Sequence, residues 1–468
     1  MFEKIENLQI AYIGGGSMNW AWALMGDLAL DPQLSGIVKL YDINYDAAKT
    51  NEIIGNRLKD DPAVYGDVCS KWEYKAEKTL KDTLTGADFV VISILPGTLD
   101  EMDSDVHTPE KYGIYQSVGD TTGPGGIVRA MRAIPMFAEI AEAIKEFSPR
   151  AWVINYTNPM SVCTGTLYKV FPGIKAFGCC HEVFHTQEVI AKMLEFEYGL
   201  KDINRKEISV NVLGLNHFTW ITQVNYKTID LMPLFGKFAE KYADDGFALY
   251  DGDKDKNNSF RNMNKVCFDM FRRYHAIPCA GDRHLAEFMP PWYLKNPETV
   301  EKWGFGLTPV SSRKQSRVDK TEILSRIVSG QEKLHIGKSG EEGTEQMKAL
   351  LGFSELITNV NIPNIGHAEG LPVGAIVETN AVFGKNAVRP VFSGKLPDAV
   401  NTIVSKHAVN QQLLIEAGVK KDIELAFNVF LNDNLMTLDI KDAEKLFGEM
   451  INNTRKYLQG WDIDKFKR

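Results

Sequence analysis

Cys179-Cys180-His181-Glu182 and, further along the chain, Asn216-His217 place thiols and imidazoles where they could hold a metal ion. One thiolate and one imidazole are too few for a closed structural zinc site, which takes four ligands. Cys180 and His217 do suit a divalent ion that keeps positions open for substrate oxygens. The bland alternative is a buried cysteine and a core histidine. Two further stretches join acids and amides to tight turns. Gly119-Asp120-Thr121-Thr122-Gly123-Pro124-Gly125-Gly126 leads into a helical stretch carrying Arg129 and Arg132. Asp120 is there either a helix N-terminal cap or, where the glycines let backbone pack against a ligand, a site residue. Asn155-Tyr156-Thr157-Asn158-Pro159 reads by itself as an ordinary turn.

These stretches need elements to position them. Leu8–Ile13 is a strand-like apolar run ending in Gly14-Gly15-Gly16-Ser17, followed by helical spacing from Trp20 to Leu30, a strand over Ile37–Tyr41 closed by Asp42, and a helix from about Asp46 to Leu58. Strand, glycine turn and helix together let backbone amides approach a pyrophosphate. Asp42 would then accept the ribose hydroxyls, which favours NAD over NADP. Asn19 stands where a third glycine is expected, and a turn without a ligand is the competing reading. Further strands are expected at Phe89–Ile94, closed by Leu95-Pro96-Gly97, at Ala151–Asn155 and at Lys175–Cys180, with helices over Ile127–Phe147 and Ser161–Val170. Pro96 and Gly97 fall at the carboxyl edge, where such sheets bind ligands. Strands apolar along their whole length, alternating with helices, make a doubly wound parallel sheet covered on both faces.

From about Lys206 the rhythm changes, with strands expected at Ile208–Leu213 and Thr219–Asn225. The division this predicts is a Rossmann-type domain over 1–200 and an α+β domain over 201–468. Ser311–Lys320 and Gly337–Gly343 read as surface loops, and no internal repeat is present.

The composition narrows the function. Across 468 residues, 53 Lys and Arg face 61 Asp and Glu for a net charge of −8, and 44% of residues are hydrophobic. That is a folded globular chain with no long-range attraction for nucleic acid or anionic lipid. No apolar run approaches the roughly 20 residues that span a bilayer. The charged opening MFEKIENLQI does not read as a signal peptide, so the expected location is cytoplasmic. Six scattered cysteines make no disulfide framework.

Taken in order, IGGGS (Ile13–Ser17), Asp42, the Gly119–Gly126 run, NYTNPMSV (Asn155–Val162), GCCHEV (Gly178–Val183) and GLNHF (Gly214–Phe218) resemble glycoside hydrolase family 4 over essentially the whole chain. The resemblance implies a fold like that of lactate and malate dehydrogenases, NAD, a divalent metal that is usually manganese, and assembly into dimers or tetramers. Cys-His-Glu-Val looks like the α-galacturonidase branch, and His181 speaks against a 6-phospho-sugar. The implied reaction is oxidation at sugar C3, loss of the C2 proton, elimination of the aglycone from C1, addition of water and re-reduction, a departure from two-carboxylate glycosidases. By the same resemblance Cys180 and His217 are metal ligands, Asn158 contacts substrate and Asp120 is the acid at the leaving oxygen. In Gly281-Asp282-Arg283-His284, Asp282 falls where the family places its base. The uronate carboxylate needs a cationic seat, for which Arg283 and His284 are candidates and Arg129 or Arg132 reserves.

Within the family, α-glucuronidase and α-glucosidase are the near alternatives. A plain NAD-dependent hydroxy-acid dehydrogenase would accumulate NADH and need no metal. A nucleotide sensor on the same scaffold would bind NAD without turnover.

Overall fold

The computed structural model describes residues 4–60 and 70–466. The strands that matter for the site are β1 (Ile5–Ile13), β2 (Leu34–Tyr41), β3 (Trp72–Glu77), β4 (Phe89–Ile92), β5 (Trp152–Asn155), β6 (Lys175–Gly178), β7 (Ile208–Leu215), β8 (Phe218–Tyr226), β9 (Ile277–Cys279), β10 (Leu356–Pro363) and β11 (Ile376–Gly384). They form one sheet in the order β9-β8-β7-β11-β10-β6-β5-β4-β1-β2-β3. The helices used below are α1 (Trp20–Leu30), α2 (Tyr45–Asp60), α3 (Leu99–His107), α4 (Gly123–Phe147), α5 (Met160–Val170), α6 (Glu182–Tyr198), α7 (Lys265–Tyr274), α8 (Asp282–Phe288), α9 (Val310–Ser329) and α10 (Gly343–Leu351).

From β3 to β6 the pairing is parallel throughout. Successive side chains on a strand point to opposite faces. Ile10 and Tyr12 of β1 therefore join Phe89 and Val91 of β4 in a core on one face, while Ala11 and Ile13 join Val90 and Ile92 on the other. Helices α4 and α5 fill the second face with Phe137, Ile140, Ala141, Cys163 and Leu167. On the first face Met25 and Leu28 of α1 meet Ile327 and Met347, which come from α9 and α10. The expected doubly wound α/β sheet is present.

The sheet continues beyond β6 with its direction changed, since Asn361 of β10 lies antiparallel to Gly178. It runs without a break across residue 200. Two expectations need correction. Ser311–Lys320 is not a loop but the interior of α9, and the last residues of the Phe89–Ile94 and Lys175–Cys180 runs leave their strands to form the site loops. Helix α9 went unread because only Val310 and Ile327 of its 20 residues are buried, so it carries no apolar stripe. No helix among the described residues is long and apolar enough to cross a membrane.

Candidate active site

Register brings the motifs together. Ile13 pairs with Tyr41 and Ile92, Ile92 with Asn155, and Asn155 with Gly178, so the parallel strands end in one row. The residues that follow each end, Gly14–Ser17, Asp42, Ser93–Gly97, Tyr156–Pro159 and Cys179–Glu182, line the carboxyl edge. This is where open α/β sheets bind ligands.

The glycine turn is built by its neighbours. The amides of Gly14 and Gly15 both donate to Tyr41 O at 2.9 Å. Gly14 has φ +95°, and a Cβ there would stand 1.9 Å from Ser93 O, so only glycine passes between the exits of β1 and β4. Asp42 Oδ2 accepts the Gly16 amide at 2.9 Å, and Oδ1 accepts that of Asn44 at the same distance. Ser17 Oγ accepts the amides of Asn19 and Trp20, and Asn19 is reached by Lys320 of α9. The exit of β4 is fixed likewise, with Pro96 O accepting from Arg132 Nε at 3.1 Å and Gly97 at φ +104°. The expected dinucleotide residues thus share one edge, and the Asp42 carboxylate is engaged with the turn itself.

A second cluster lies further along that edge. His217 sits in the two-residue turn between β7 and β8 with φ +64°, a left-handed conformation uncommon for a side chain other than glycine. Its Nδ1 lies 2.9 Å from Thr121 Oγ1, and Thr121 Oγ1 lies 2.7 Å from Asp120 Oδ1. The network assigns the tautomer: Nδ1–H donates to Thr121, whose hydroxyl donates to Asp120, and the Nε2 lone pair stays free. Burial, helped by the neighbouring His284, holds the imidazole of His217 down to about 3, so it is neutral and able to ligate. Cys180 is buried against Asn216 and near Glu378 and Glu182, and burial first, then these carboxylates, push its thiol well up. Both polar side-chain atoms of Asn216 are buried, beside the Cys180 thiol and the Glu378 carboxyl. A buried thiol, a neutral histidine with a free nitrogen and a buried amide beside the thiol are a donor set that fits a divalent ion. Among the described residues no group of three or more His, Cys, Asp and Glu stands placed to hold a metal ion.

Around this pair stand two ionised carboxylates. Burial would raise Asp120, but Arg129 above all, with His217 and His284, outweighs it and holds the carboxyl at about 2. Glu182 likewise falls to about 2 as His284, His217 and His181 overcome its burial. Glu182 Oε2 accepts the Gly281 amide at 2.7 Å, and its other oxygen lies 3.6 Å from His284 Nε2. The rings of His284 and His217 are 3.9 Å apart. Asn158 Nδ2 reaches Asp120 Oδ2 at 3.4 Å, its carbonyl accepts from Arg129 Nε at 3.0 Å, and its Oδ1 is buried with no partner.

Asp120, Asn158, Cys180, His217 and His284 are therefore brought together, with Arg129 beside them. His181 is at the rim, its Nδ1 2.8 Å from Glu341 Oε1, a bond that raises it to about 9. Asp282 is not brought in. Its Oδ1 accepts the Cys267 amide at 3.0 Å at the start of α7, and burial raises the carboxyl to about 7. Arg132 is also elsewhere, buried in a two-pronged pair with Asp105 at 2.9 and 2.5 Å. Sequence reasoning missed Thr121, Glu182 and Asn216, although each adjoins a residue it singled out. It missed Glu287 entirely: from α8 its Oε1 accepts the amides of Val118 and Gly119 at 2.7 and 2.9 Å and so fixes the approach to Asp120.

A dinucleotide-type sheet with a thiol–imidazole pair beside its carboxyl edge defines the class, and the chain belongs to the family 4 glycosyl hydrolases: the family model matches residues 9–196 and that of its C-terminal domain residues 212–436. The chain is 58% identical over 461 residues to a protein of Thermoanaerobacterium saccharolyticum named alpha-galacturonidase, covering 98% of each. The solved structure of lplD from Bacillus subtilis is 52% identical and superposes with a TM-score of 0.90 over 95% of this chain and 100% of that one. A 6-phospho-beta glucosidase of Thermotoga maritima, solved with manganese, NAD+ and glucose-6-phosphate, shares the fold with a TM-score of 0.75 at 22% identity, over 96% of this chain and 99% of that one.

Proposed function

We propose that this chain is a cytoplasmic α-galacturonidase that uses NAD and a divalent metal, manganese foremost, and works as a homo-oligomer. The observation that carries the reading is the His217–Thr121–Asp120 relay, with Cys180 against Asn216, the residue before His217, at the carboxyl edge of a sheet whose glycine turn suits a dinucleotide. The 58% identity to a protein named alpha-galacturonidase supports the substrate class. Cys180 and His217 are the proposed metal ligands, and Gly14, Gly15, Gly16, Ser17, Asp42, Pro96 and Gly97 the proposed seat of NAD. When bound, these groups supply a hydride acceptor and donor at sugar C3 and a Lewis acid at the C2 and C3 oxygens.

The chain's own residues orient and move protons. Thr121 keeps the His217 lone pair outward, and Asn158 offers its unpartnered Oδ1 to a sugar hydroxyl. Asp120 is ionised at rest. It therefore serves the leaving oxygen as an acid only after taking up a proton from the sugar, a relay that returns the carboxylate to its starting state. Asp282, the expected base, has its Oδ1 engaged at the start of α7 and its Oδ2 buried without a partner, and the Asp120–Glu182–His284 cluster offers the alternative groups for the C2 proton.

The test is hydrolysis of an aryl α-galacturonide in D₂O under reducing conditions, with and without NAD and manganese. Galacturonate carrying deuterium at C2, formed only with both present, is expected. Turnover without exchange overturns the oxidation–elimination route. NADH accumulating from hydroxy acids with no sugar released returns the chain to the dehydrogenase reading.

A further inference from the structure

Arg129, Arg132, Arg283 and Arg313 are all buried or half-buried, and two of them are already matched. Arg132 is paired with Asp105, and Arg129 is the foremost charge holding down Asp120. Arg283 and Arg313 are not. Arg283 spends its Nη2 on Ser117 O at 2.8 Å and on the Thr308 hydroxyl, neither of them charged, and its Nε is buried with no partner. Arg313, in the second turn of α9, makes no hydrogen bond or ion pair with any described residue, and its Nε is also buried and unpartnered. Both guanidinium carbons lie over the Phe260 ring, 4.6 Å from its centroid for Arg283 and 5.5 Å for Arg313. Two like charges drawn to one ring, neither of them in an ion pair with a described residue, is an arrangement that an anion completes.

The position suits the sugar. Arg283 precedes His284, and its guanidinium rests on the Ser117 carbonyl, three residues before Asp120. Thr308 fixes the same carbonyl at 2.6 Å just before α9 begins, so the first turns of α9 stand over the loop that carries Asp120.

Resting on the galacturonidase reading, we infer that Arg283 and Arg313, drawn together over Phe260, form the seat of the carboxylate on the galacturonosyl unit being cleaved, and that Arg313 selects uronates over neutral sugars. Arg313, with its Nε and the Nη beside it uncommitted, presents the two-donor edge that a planar carboxylate accepts, and Arg283 adds its charge and its unpartnered Nε.

The experiment compares wild type, R313Q and R313K, each with NAD and manganese, for binding of free galacturonate and galactose by calorimetry and for kcat/KM on an aryl α-galacturonide. R313Q is expected to lose about ten- to hundred-fold in galacturonate affinity and in kcat/KM, mostly through KM, with R313K recovering part of the loss and galactose binding unmoved. NAD affinity should stay within about two-fold of wild type, which also reports that the variant is folded. Galacturonate affinity unchanged in R313Q overturns the assignment. So does an equal loss of NAD affinity, which would make the anion a pyrophosphate. A loss seen on oligogalacturonate and not on the aryl substrate overturns it too, placing the seat under the aglycone. Wild type inert on every α-galacturonide would instead fell the functional reading itself, an outcome separate from any effect of the variants.

Discussion

At the residue scale the site turns on one hydroxyl. Thr121 stands between the Nδ1 of His217 and the carboxylate of Asp120, at 2.9 and 2.7 Å. Partners behind a metal-bound histidine fix its tautomer and raise its basicity, and losing one typically costs ~10- to 100-fold in metal affinity. T121V keeps the shape and removes the relay, so manganese should bind that much more weakly while NAD affinity holds. Unchanged manganese binding would mean that the imidazole is oriented some other way. C180S is the sharper version: it should abolish metal-dependent turnover with NAD still bound, and full activity in that variant would overturn the ligand assignment. Much of this was legible. Asn158, Cys180 and His217 stand in runs of turn-forming and polar residues directly after apolar strands, which report a carboxyl edge, and Asp120 stands in a glycine-rich run that opens a helix. Asp282 is hard to place from sequence because a Gly-Asp turn reads alike whether its carboxylate faces a ligand or, as its Oδ1 does here, a backbone amide 15 residues back at the start of α7.

At the element scale α8 is a brace. Glu287 at its far end accepts the amides of Val118 and Gly119, and burial raises its carboxyl to about 8. Its ordinary value is 4.5, so between these limits the folded chain holds a proton that the unfolded chain has released. Stability from this group is full below the lower value and is lost as pH rises through the higher one. E287Q, which keeps an accepting oxygen and cannot ionise, should therefore gain on wild type as pH rises, with thermal midpoints drawing apart by a few degrees between about pH 5 and about pH 9. A constant difference across that range would show that Glu287 is not the group titrating. The sequence offered no sign of this, because Glu287 lies in an ordinary helical stretch and its partners are backbone amides 168 and 169 residues away. Helix α9 was missed for a related reason. Its face toward the molecule works through Arg313, Lys314 and Lys320, while periodicity detects only apolar stripes.

At the scale of the whole molecule, the two halves share a sheet and a strap. Asn361 continues the sheet from Gly178, and α9 runs from Phe260 and Asp120's loop past α3, where Lys314 pairs with Asp100 and Asp103, to Asn19 beside the glycine turn. It ends where Arg57 of α2 donates to the carbonyls of Ile327 and Val328, both at 2.5 Å. Anything that orders the glycine turn thereby orders the strap. NAD at about a hundred times its Kd should add about 2.7 kcal/mol. We expect the whole chain to share that gain in one raised calorimetric transition. A lower transition left in place for the second half would show the halves to be thermally independent.

The arginines over Phe260 have a last consequence, for the end of the catalytic cycle. Cleavage at C1 leaves the carboxylate of the sugar untouched, so galacturonate departs carrying the same group that secured the substrate. Nothing about the Arg283–Arg313 seat slackens once the bond is broken. An enzyme built this way is open to inhibition by its own product, since galacturonate competes with the next substrate for the same two guanidiniums.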